Sequence, residues 1–169
     1  MIYNSRVNWA LKVAYGAHMG QKDRAGVPYI FHPYHLAEQM DTDDEIIVAL
    51  LHDIIEDTDL SLNDLIKLDD AEVFTPEIIE ALQFLTHRKD AHYSDYIYRI
   101  RKNDLATKVK LADLKHNSDM TRLKKIKESD LKRNKKYSLA IKALETDSDK
   151  SALLILKKMD DFEDSGKII

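Results

Sequence analysis

The segment ALLHDIIEDT places four side chains that can bind a metal or transfer a proton inside an otherwise apolar run. These are His52, Asp53, Glu56 and Asp57. On one continuous helix, His52 and Glu56 share a face, while Asp53 and Asp57 share the adjacent face. Burying such groups without partners is costly, so the pattern predicts either hydrogen-bonding partners or a bound metal.

Two further segments carry candidate ligands. In VKLADLKHN, Asp113 and Asn117 are four residues apart among apolar neighbours, and His32 follows a loop that contains glycine and proline. Imidazole and carboxylate groups bind Mn, Fe, Co, Ni or Zn. Two histidines and two aspartates from three helical regions would hold one divalent ion and leave positions open for water or substrate.

Such an ion makes hydroxide available near neutral pH, and Glu56, one turn beyond His52, is placed to transfer a proton. Each residue taken singly also fits a structural role, since a lone histidine on an apolar helix is more often part of the core. The spacing alone therefore leaves a metal site and a structural role about equally open.

Three segments together resemble a known family: RAGVPYIFHP, ALLHDIIEDT and VKLADLKHN. They are similar to the HD superfamily of metal-dependent phosphohydrolases, and especially to the hydrolase domain of the RelA/SpoT alarmone enzymes and the stand-alone small alarmone hydrolases. The resemblance runs from about residue 17 to residue 117.

The resemblance implies a role for each matched position. The metal ligands are His32, His52, Asp53 and Asp113; the catalytic acids are Glu56 and Asp57; Asn117 contacts the nucleotide sugar and Arg24 the purine base. The implied cofactor is one divalent metal, usually Mn²⁺ in this family. The implied reaction removes pyrophosphate from the 3′ position of (p)ppGpp and returns GDP or GTP.

The loop before His32 departs from the family, which often has two adjacent basic residues where this chain reads Asp23-Arg24-Ala25. A phosphohydrolase that acts on another phosphorylated nucleotide therefore stays open as an alternative. So does a non-catalytic nucleotide-binding module, although such modules commonly lose a ligand or the acidic pair, and both are intact here.

Charge is segregated along the chain. Residues 41–77 carry thirteen acids and one base, whereas residues 115–142 carry ten bases and three acids. Within the basic stretch, Arg133 and Lys136 can share a helical face with Tyr137 and are the best candidates for phosphate binding, and a solvated helix face is the alternative. Lys108 and Lys110 flank the Asp113 segment, and either a phosphate contact or a solvent-facing position fits them.

Composition bounds the class of protein. The chain has 169 residues, no cysteine and a net charge of −4, which exclude cysteine-based metal sites and argue against general nucleic-acid binding. No run is long and apolar enough to span a membrane, and the first residues do not resemble a signal peptide. We expect a cytoplasmic protein that has a nucleotide substrate and no synthetase domain. A homo-oligomer is possible.

Helical periodicity predicts an all-α fold, a compact HD-type bundle with two extra C-terminal helices. One domain is expected over 1–169, with a core of about 5–120 and C-terminal helices at about 121–163. Predicted helices cover 5–19, 33–40, 42–57, 90–101 and 105–117, with shorter ones after Ser61 and Thr75. The C-terminal pair spans about 130–162 and divides near 146–149. Thr42 with Glu45, and Ser61 with Asp64, have the spacing of capping boxes.

Overall fold

The computed structural model describes residues 4–88, 90–123 and 125–165, without the side chain of residue 165. Within them the fold is all-α and the only β pairing is an isolated bridge between Lys22 and Pro28, so the predicted fold class is confirmed. The helices are α1 (Ser5–Ala17), α2 (Phe31–Ala37), α3 (Asp43–Leu51), α4 (Ile54–Asp57), α5 (Leu62–Leu68), α6 (Pro76–Leu85), α7 (Tyr93–Ile100), α8 (Asp104–Ser118), α9 (Glu128–Glu145) and α10 (Asp149–Ser165). One 3₁₀ turn, Met120–Arg122, follows α8.

The chain forms two compact units, Met1–His87 and Arg88–Ile169. The single domain expected over 1–169 stays a prediction. No helix in the described parts of the chain is long and apolar enough to cross a membrane.

In the first unit, α3 is the central element. It packs against α1, α2 and α6, and every residue from Ile46 to Leu51 is buried. This burial explains why the α3 sequence is apolar on all sides rather than along one stripe. The packing of α2 on α3 brings His32, in the first turn of α2, towards the end of α3.

In the second unit, the long helix α9 packs against α7, α8 and α10, and α10 also contacts α7. The boundary predicted near 146–149 is confirmed, since α9 ends at Glu145 and α10 begins at Asp149. The largely buried side chain of Arg101 stabilises this turn, because its guanidinium donates to the carbonyls of Ala143 and Thr146.

Both predicted capping boxes are present. Thr42 accepts from the Glu45 amide while the Glu45 carboxylate accepts from the Thr42 amide, and Ser61 and Asp64 make the same reciprocal pair. Each box satisfies two amides that the first helical turn would otherwise leave without acceptors.

The prediction of one helix through His52 to Asp57 is wrong. α3 ends at Leu51, His52 and Asp53 form a turn, and the single-turn helix α4 follows at Ile54. The His52 ring Nδ1 lies 2.8 Å from the Ala49 carbonyl oxygen. In a continuous helix the Ala49 carbonyl would accept from the Asp53 amide, so the His52 side chain competes with that amide.

Other helix limits differ by a few residues. α1 ends at Ala17 rather than at 19, α2 covers Phe31–Ala37 rather than 33–40, and α7 covers Tyr93–Ile100 rather than 90–101. Pro33 still lies in the first turn of α2, where a missing amide proton costs nothing. The predicted helix over 105–117 is confirmed by α8.

Candidate metal and catalytic site

A largely buried cluster of two imidazoles and one carboxylate lies between the start of α2 and the end of α3. Asp53 Oδ2 is 3.0 Å from His52 Nε2 and 3.5 Å from His32 Nε2. Each residue offers one ligand atom, and the three atoms lie within 4.8 Å of one another. This donor set fits a divalent transition metal, since imidazole nitrogen and carboxylate oxygen are its usual protein ligands.

The orientation of His52 suits metal binding. A carbonyl oxygen can only accept, so the 2.8 Å contact to Ala49 requires the proton of the neutral ring to lie on Nδ1. The lone pair is then on Nε2, the atom that faces Asp53. A main-chain carbonyl on the far nitrogen is a common way to fix the tautomer of a ligating histidine.

Tyr29 completes the surroundings of Asp53. Its hydroxyl donates to Asp53 Oδ2 over 2.5 Å, and its ring lies 5.5 Å from the His32 ring and 4.9 Å from the His18 ring, between centroids. A phenol oriented by two neighbouring rings restricts the direction in which the Asp53 carboxylate points.

The charge state of Asp53 follows from these neighbours. Burial raises the pKa of its carboxyl, but in the metal-free chain, with the His52 ring protonated on both nitrogens, the charge of His52 and hydrogen bonds with His32 and His52 outweigh burial and hold the pKa well below its ordinary value. Asp53 is therefore an anion at neutral pH, the form that ligates a metal.

Glu56 and Asp57, the predicted catalytic acids, both lie on α4. Glu56 Oε1 accepts from the His87 amide over 2.6 Å, which anchors the carboxylate to the segment after α6. Burial and the negative charge of Asp53 raise the pKa of Asp57 above its ordinary value. Along the chain, Glu56 and Asp57 come three and four residues after Asp53, a member of the cluster.

The fourth predicted ligand, Asp113, is buried in the second unit, on α8. Its Oδ2 is 2.6 Å from Lys110 Nζ, and Asn117 Nδ2 donates to Oδ1 over 2.5 Å. Lys110 also lies over the ring of Tyr96 at 5.5 Å. The role of Asp113 as a ligand, and of Asn117 as a sugar contact, stays a prediction.

Lys110 takes an unforeseen position. Its side chain does not face solvent but is largely buried and paired with Asp113. Burial lowers the pKa of its ammonium, but the charges of Asp113 and of the nearby tyrosines outweigh burial and raise the pKa well above its ordinary value. Lys110 is thus a buried counter-ion.

Arg24, the predicted base contact, is exposed in the turn between Lys22 and Pro28. The Asp23 amide donates to the Val27 carbonyl over 2.8 Å and closes this turn. Gly26 has a positive φ of 87° there, a conformation that favours glycine. The turn thus presents Arg24 at the surface, and its contact with a base stays a prediction.

Arg133 and Lys136, on α9, line a cavity of about 300 Å³ in the second unit. Lys136 Nζ is 2.9 Å from Glu163 on α10 and 4.3 Å from the ring centre of Tyr93. The predicted face that Arg133 and Lys136 share with Tyr137 is present, since Tyr137 lines the same cavity. Their contact with phosphate stays a prediction.

The sequence reasoning missed Tyr29 and Gln21. Gln21 donates from its side chain to the Asp57 carbonyl oxygen over 2.8 Å. The sequence offered only one indication of a role for either residue, its position in the loop just before His32. Its spacing did not indicate where the side chain points.

Comparison with known proteins gives several relatives of this chain. No family model matches the sequence. SpoT of Escherichia coli K12, a bifunctional (p)ppGpp synthase/hydrolase, is 34% identical over 124 residues, which cover 66% of this chain and 17% of SpoT. A chloroplastic RSH1 of Oryza sativa, named as a putative GTP diphosphokinase, is 52% identical over 58 residues, which cover 32% of this chain and 6% of RSH1.

The chain is a relative of the RelA/SpoT enzymes. It spans less than a fifth of the length of the SpoT and RSH1 relatives. A solved structure of a metazoan SpoT ortholog, described as hydrolysing ppGpp, aligns over 99% of both chains with a TM-score of 0.67 and 21% identity. This likeness shows that the chain has the same fold as that ortholog.

Proposed function

We propose that this chain is a metal-dependent hydrolase that removes pyrophosphate from the 3′ position of (p)ppGpp, giving GDP or GTP. The carrying observation is the largely buried cluster of His32, His52 and Asp53, followed at once by Glu56 and Asp57, in a relative of the RelA/SpoT enzymes. A purely structural role would leave this convergence of ligand atoms unexplained.

The metal in this proposal is a single Mn²⁺, held by His32, His52 and Asp53 with Asp113 as the fourth ligand. When bound, such an ion lowers the pKa of a coordinated water and polarises a phosphoryl oxygen. The protein contributes the ionised Asp53 carboxylate and the Nδ1-protonated tautomer of His52, which leave both side chains ready to ligate.

In the reaction, Glu56 is the group that accepts a proton from the attacking water. The His87 amide donates to Oε1 and thereby orients this carboxylate. Asp57, whose pKa is raised by burial and by Asp53, positions the water beside Glu56. The elevated pKa suits a carboxyl that shares a proton during turnover.

Four further residues make the substrate contacts in this proposal. Arg24 packs on the purine base and Asn117 contacts the ribose. Arg133 and Lys136 neutralise phosphates from the rim of their cavity of about 300 Å³. We place the protein in the cytoplasm and leave a homo-oligomer as an open alternative.

The test is pyrophosphate release from ppGpp by Mn²⁺-loaded protein. We expect release by the wild type and a loss of about 10²–10⁴-fold in turnover for Glu56→Gln, with Mn²⁺ binding retained. Glu38→Gln, which changes an exposed acid at the end of α2, is the matched control and keeps the wild-type rate. A Glu56→Gln variant as fast as this control contradicts the assignment of Glu56.

A second candidate is hydrolysis of another phosphorylated nucleotide. The geometry of the turn between Lys22 and Pro28, which carries the predicted base contact Arg24, favours it. Asp23 Oδ1 accepts from the amides of Ala25 and Val27, both over 2.9 Å, so an acid shapes the turn that presents Arg24. A panel of 2′- and 3′-phosphorylated nucleotides that are hydrolysed faster than ppGpp would establish it. Tight nucleotide binding without turnover in several metals would instead indicate a non-catalytic module.

A further inference from the structure

The side-chain amide of Gln21 joins the buried His18 to the main chain of Asp57, one of the two predicted catalytic acids. Gln21 Nε2 donates to the Asp57 carbonyl oxygen over 2.8 Å. Gln21 Oε1 lies 2.8 Å from Nδ1 of His18, whose residue surface is only 2% exposed. His18 and Gln21 carry no role in the reaction proposed above.

The direction of this hydrogen-bond chain is set by its last member. The Asp57 carbonyl can only accept, so the amide nitrogen of Gln21 must face it and the amide oxygen must face His18. His18 then carries its proton on Nδ1. Every group in the chain from His18 to Asp57 has one orientation, which makes the link a directional one.

The helix that receives this link has little hydrogen bonding of its own. α4 is four residues long, and its ladder consists of the Asp57 amide to Asp53, at 2.9 Å, and the Thr58 amide to Ile54, at 3.0 Å. A single turn is not stable in isolation, and its last carbonyls lack helical partners. The Gln21 amide supplies a partner for one of these carbonyls.

Gln21 also pairs with the segment that leads to the ligand His32. The Tyr29 amide donates to the Gln21 carbonyl over 3.0 Å, and the Tyr29 hydroxyl donates to Asp53. One residue therefore contacts, by its main chain, the segment that orients Asp53 and, by its side chain, the helix that carries Glu56 and Asp57.

We propose that Gln21 is a positioning residue, which fixes α4 and thereby sets Glu56 and Asp57 relative to the cluster of His32, His52 and Asp53. His18 orients the amide. The consequence for turnover rests on the hydrolase function proposed above, whereas the placement of α4 does not.

Hydrogen exchange in the metal-free protein tests the placement directly. In Gln21→Met, which keeps the length of the side chain and removes both hydrogen bonds, we expect the amides of Asp57 and Thr58 to exchange about 5–10-fold faster, because one hydrogen bond is worth about 1 kcal/mol. Amides of α3 keep their wild-type rates. Gln39→Met is the matched control, since Gln39 Nε2 also donates to a main-chain carbonyl, that of His35, over 2.9 Å.

A second variant separates the two hydrogen bonds. Gln21→Glu keeps an acceptor for His18 Nδ1 and removes the donor to the Asp57 carbonyl. We expect it to speed exchange in α4 as Gln21→Met does. Unchanged exchange at Asp57 and Thr58 in both variants, as in Gln39→Met, overturns the proposal.

Kinetics tests the consequence for the reaction. Gln21→Met should lower kcat for ppGpp by about 10–100-fold, because small displacements of reacting groups have effects of this size. KM and the Mn²⁺ affinity should stay at their wild-type values, a split that general destabilisation would not produce. Faster exchange with a normal kcat overturns the catalytic part. Faster exchange in the variant, when both it and the wild type fail to release pyrophosphate, supports the placement of α4 and contradicts the proposed function.

Discussion

Asp53 and Asp113 are both largely buried and both predicted ligands, yet their neighbours compensate them differently. Asp53 is surrounded by two imidazoles and a phenol, with His52 Nε2 at 3.0 Å and the Tyr29 hydroxyl at 2.5 Å. Asp113 is paired with the ammonium of Lys110 at 2.6 Å and the amide of Asn117. The first set can itself ligate a metal, whereas an ammonium cannot.

The difference shows two ways of keeping a carboxylate ionised away from water. At Asp53 the compensating groups are titratable and able to release the carboxylate to a metal. At Asp113 a fixed cation neutralises the charge in the metal-free chain, and it also lies over the Tyr96 ring. Loss of Lys110 would therefore leave a buried charge without its counter-ion in the metal-free chain, and a metal that bound Asp113 would share the carboxylate with Lys110.

The largest expected effect is on metal affinity. If Asp53 and Asp113 both ligate, Asp53→Asn and Asp113→Asn should each weaken Mn²⁺ binding by more than about 100-fold, since loss of an outer-shell group already costs about 10–100-fold. Calorimetric titration of Mn²⁺ measures it. Asp104→Asn, an exposed aspartate on the same helix as Asp113, is the control. Normal affinity in Asp113→Asn would limit the ligand set to the first unit.

The next effect is on stability and separates the two carboxylates. Lys110→Met should lower the free energy of unfolding by about 3–5 kcal/mol, because it leaves the buried Asp113 charge without its counter-ion. Urea denaturation of metal-free protein measures this change.

Lys115→Met is the matched control for Lys110→Met. Lys115 lies on the same helix and forms an exposed ion pair with Glu145 at 2.9 Å, so its loss should cost less than about 1 kcal/mol. The double variant Lys110→Met with Asp113→Leu should regain much of the loss. Equal costs for the two lysine variants would mean that Asp113 does not depend on Lys110.

The smallest effect is on the pH dependence of stability, which should differ in sign. The pKa of Asp53 is lowered in the folded chain, so its contribution is present above about pH 4 and is lost as the pH falls through the folded value. The pKa of Lys110 is raised, so its contribution is present below about pH 10.4 and is lost as the pH rises through the folded value.

Denaturation series at several pH values test these signs. Asp53→Asn should remove part of the acid-side loss and leave the alkaline side as in the wild type. Lys110→Met should do the reverse. A Lys110→Met variant with a wild-type alkaline limb would show that another group controls it.

Sequence patterns predicted the helices well where the stabilising contacts are between residues close together in the chain. Capping boxes depend on residues three apart, and both are present. The break at His52 could not be predicted in this way, because it follows from a side-chain contact to Ala49 that competes with regular helix hydrogen bonds. The same apolar run would otherwise favour one continuous helix.

The candidate site divides along the same line. The residue types at His52, Asp53, Glu56 and Asp57 indicated metal and proton chemistry from the sequence alone. The directions of Tyr29 and Gln21 did not follow from spacing, since each points to a partner that packing supplies. Lys110 has its partner Asp113 three residues on along the same helix, but its burial depends on packing. For Lys110, the nearby Tyr96 ring belongs to another helix, α7.

By itself, the sequence determined the helical class, the capped starts of α3 and α5 and the kinds of ligand available, because these depend on side-chain chemistry and on neighbours within one or two turns. Only the tertiary structure decided that His32 meets His52 and Asp53, and that Gln21 reaches Asp57. Those contacts join segments that are distant along the chain, and they form only when α2 packs on α3 and the loop before it closes on α4.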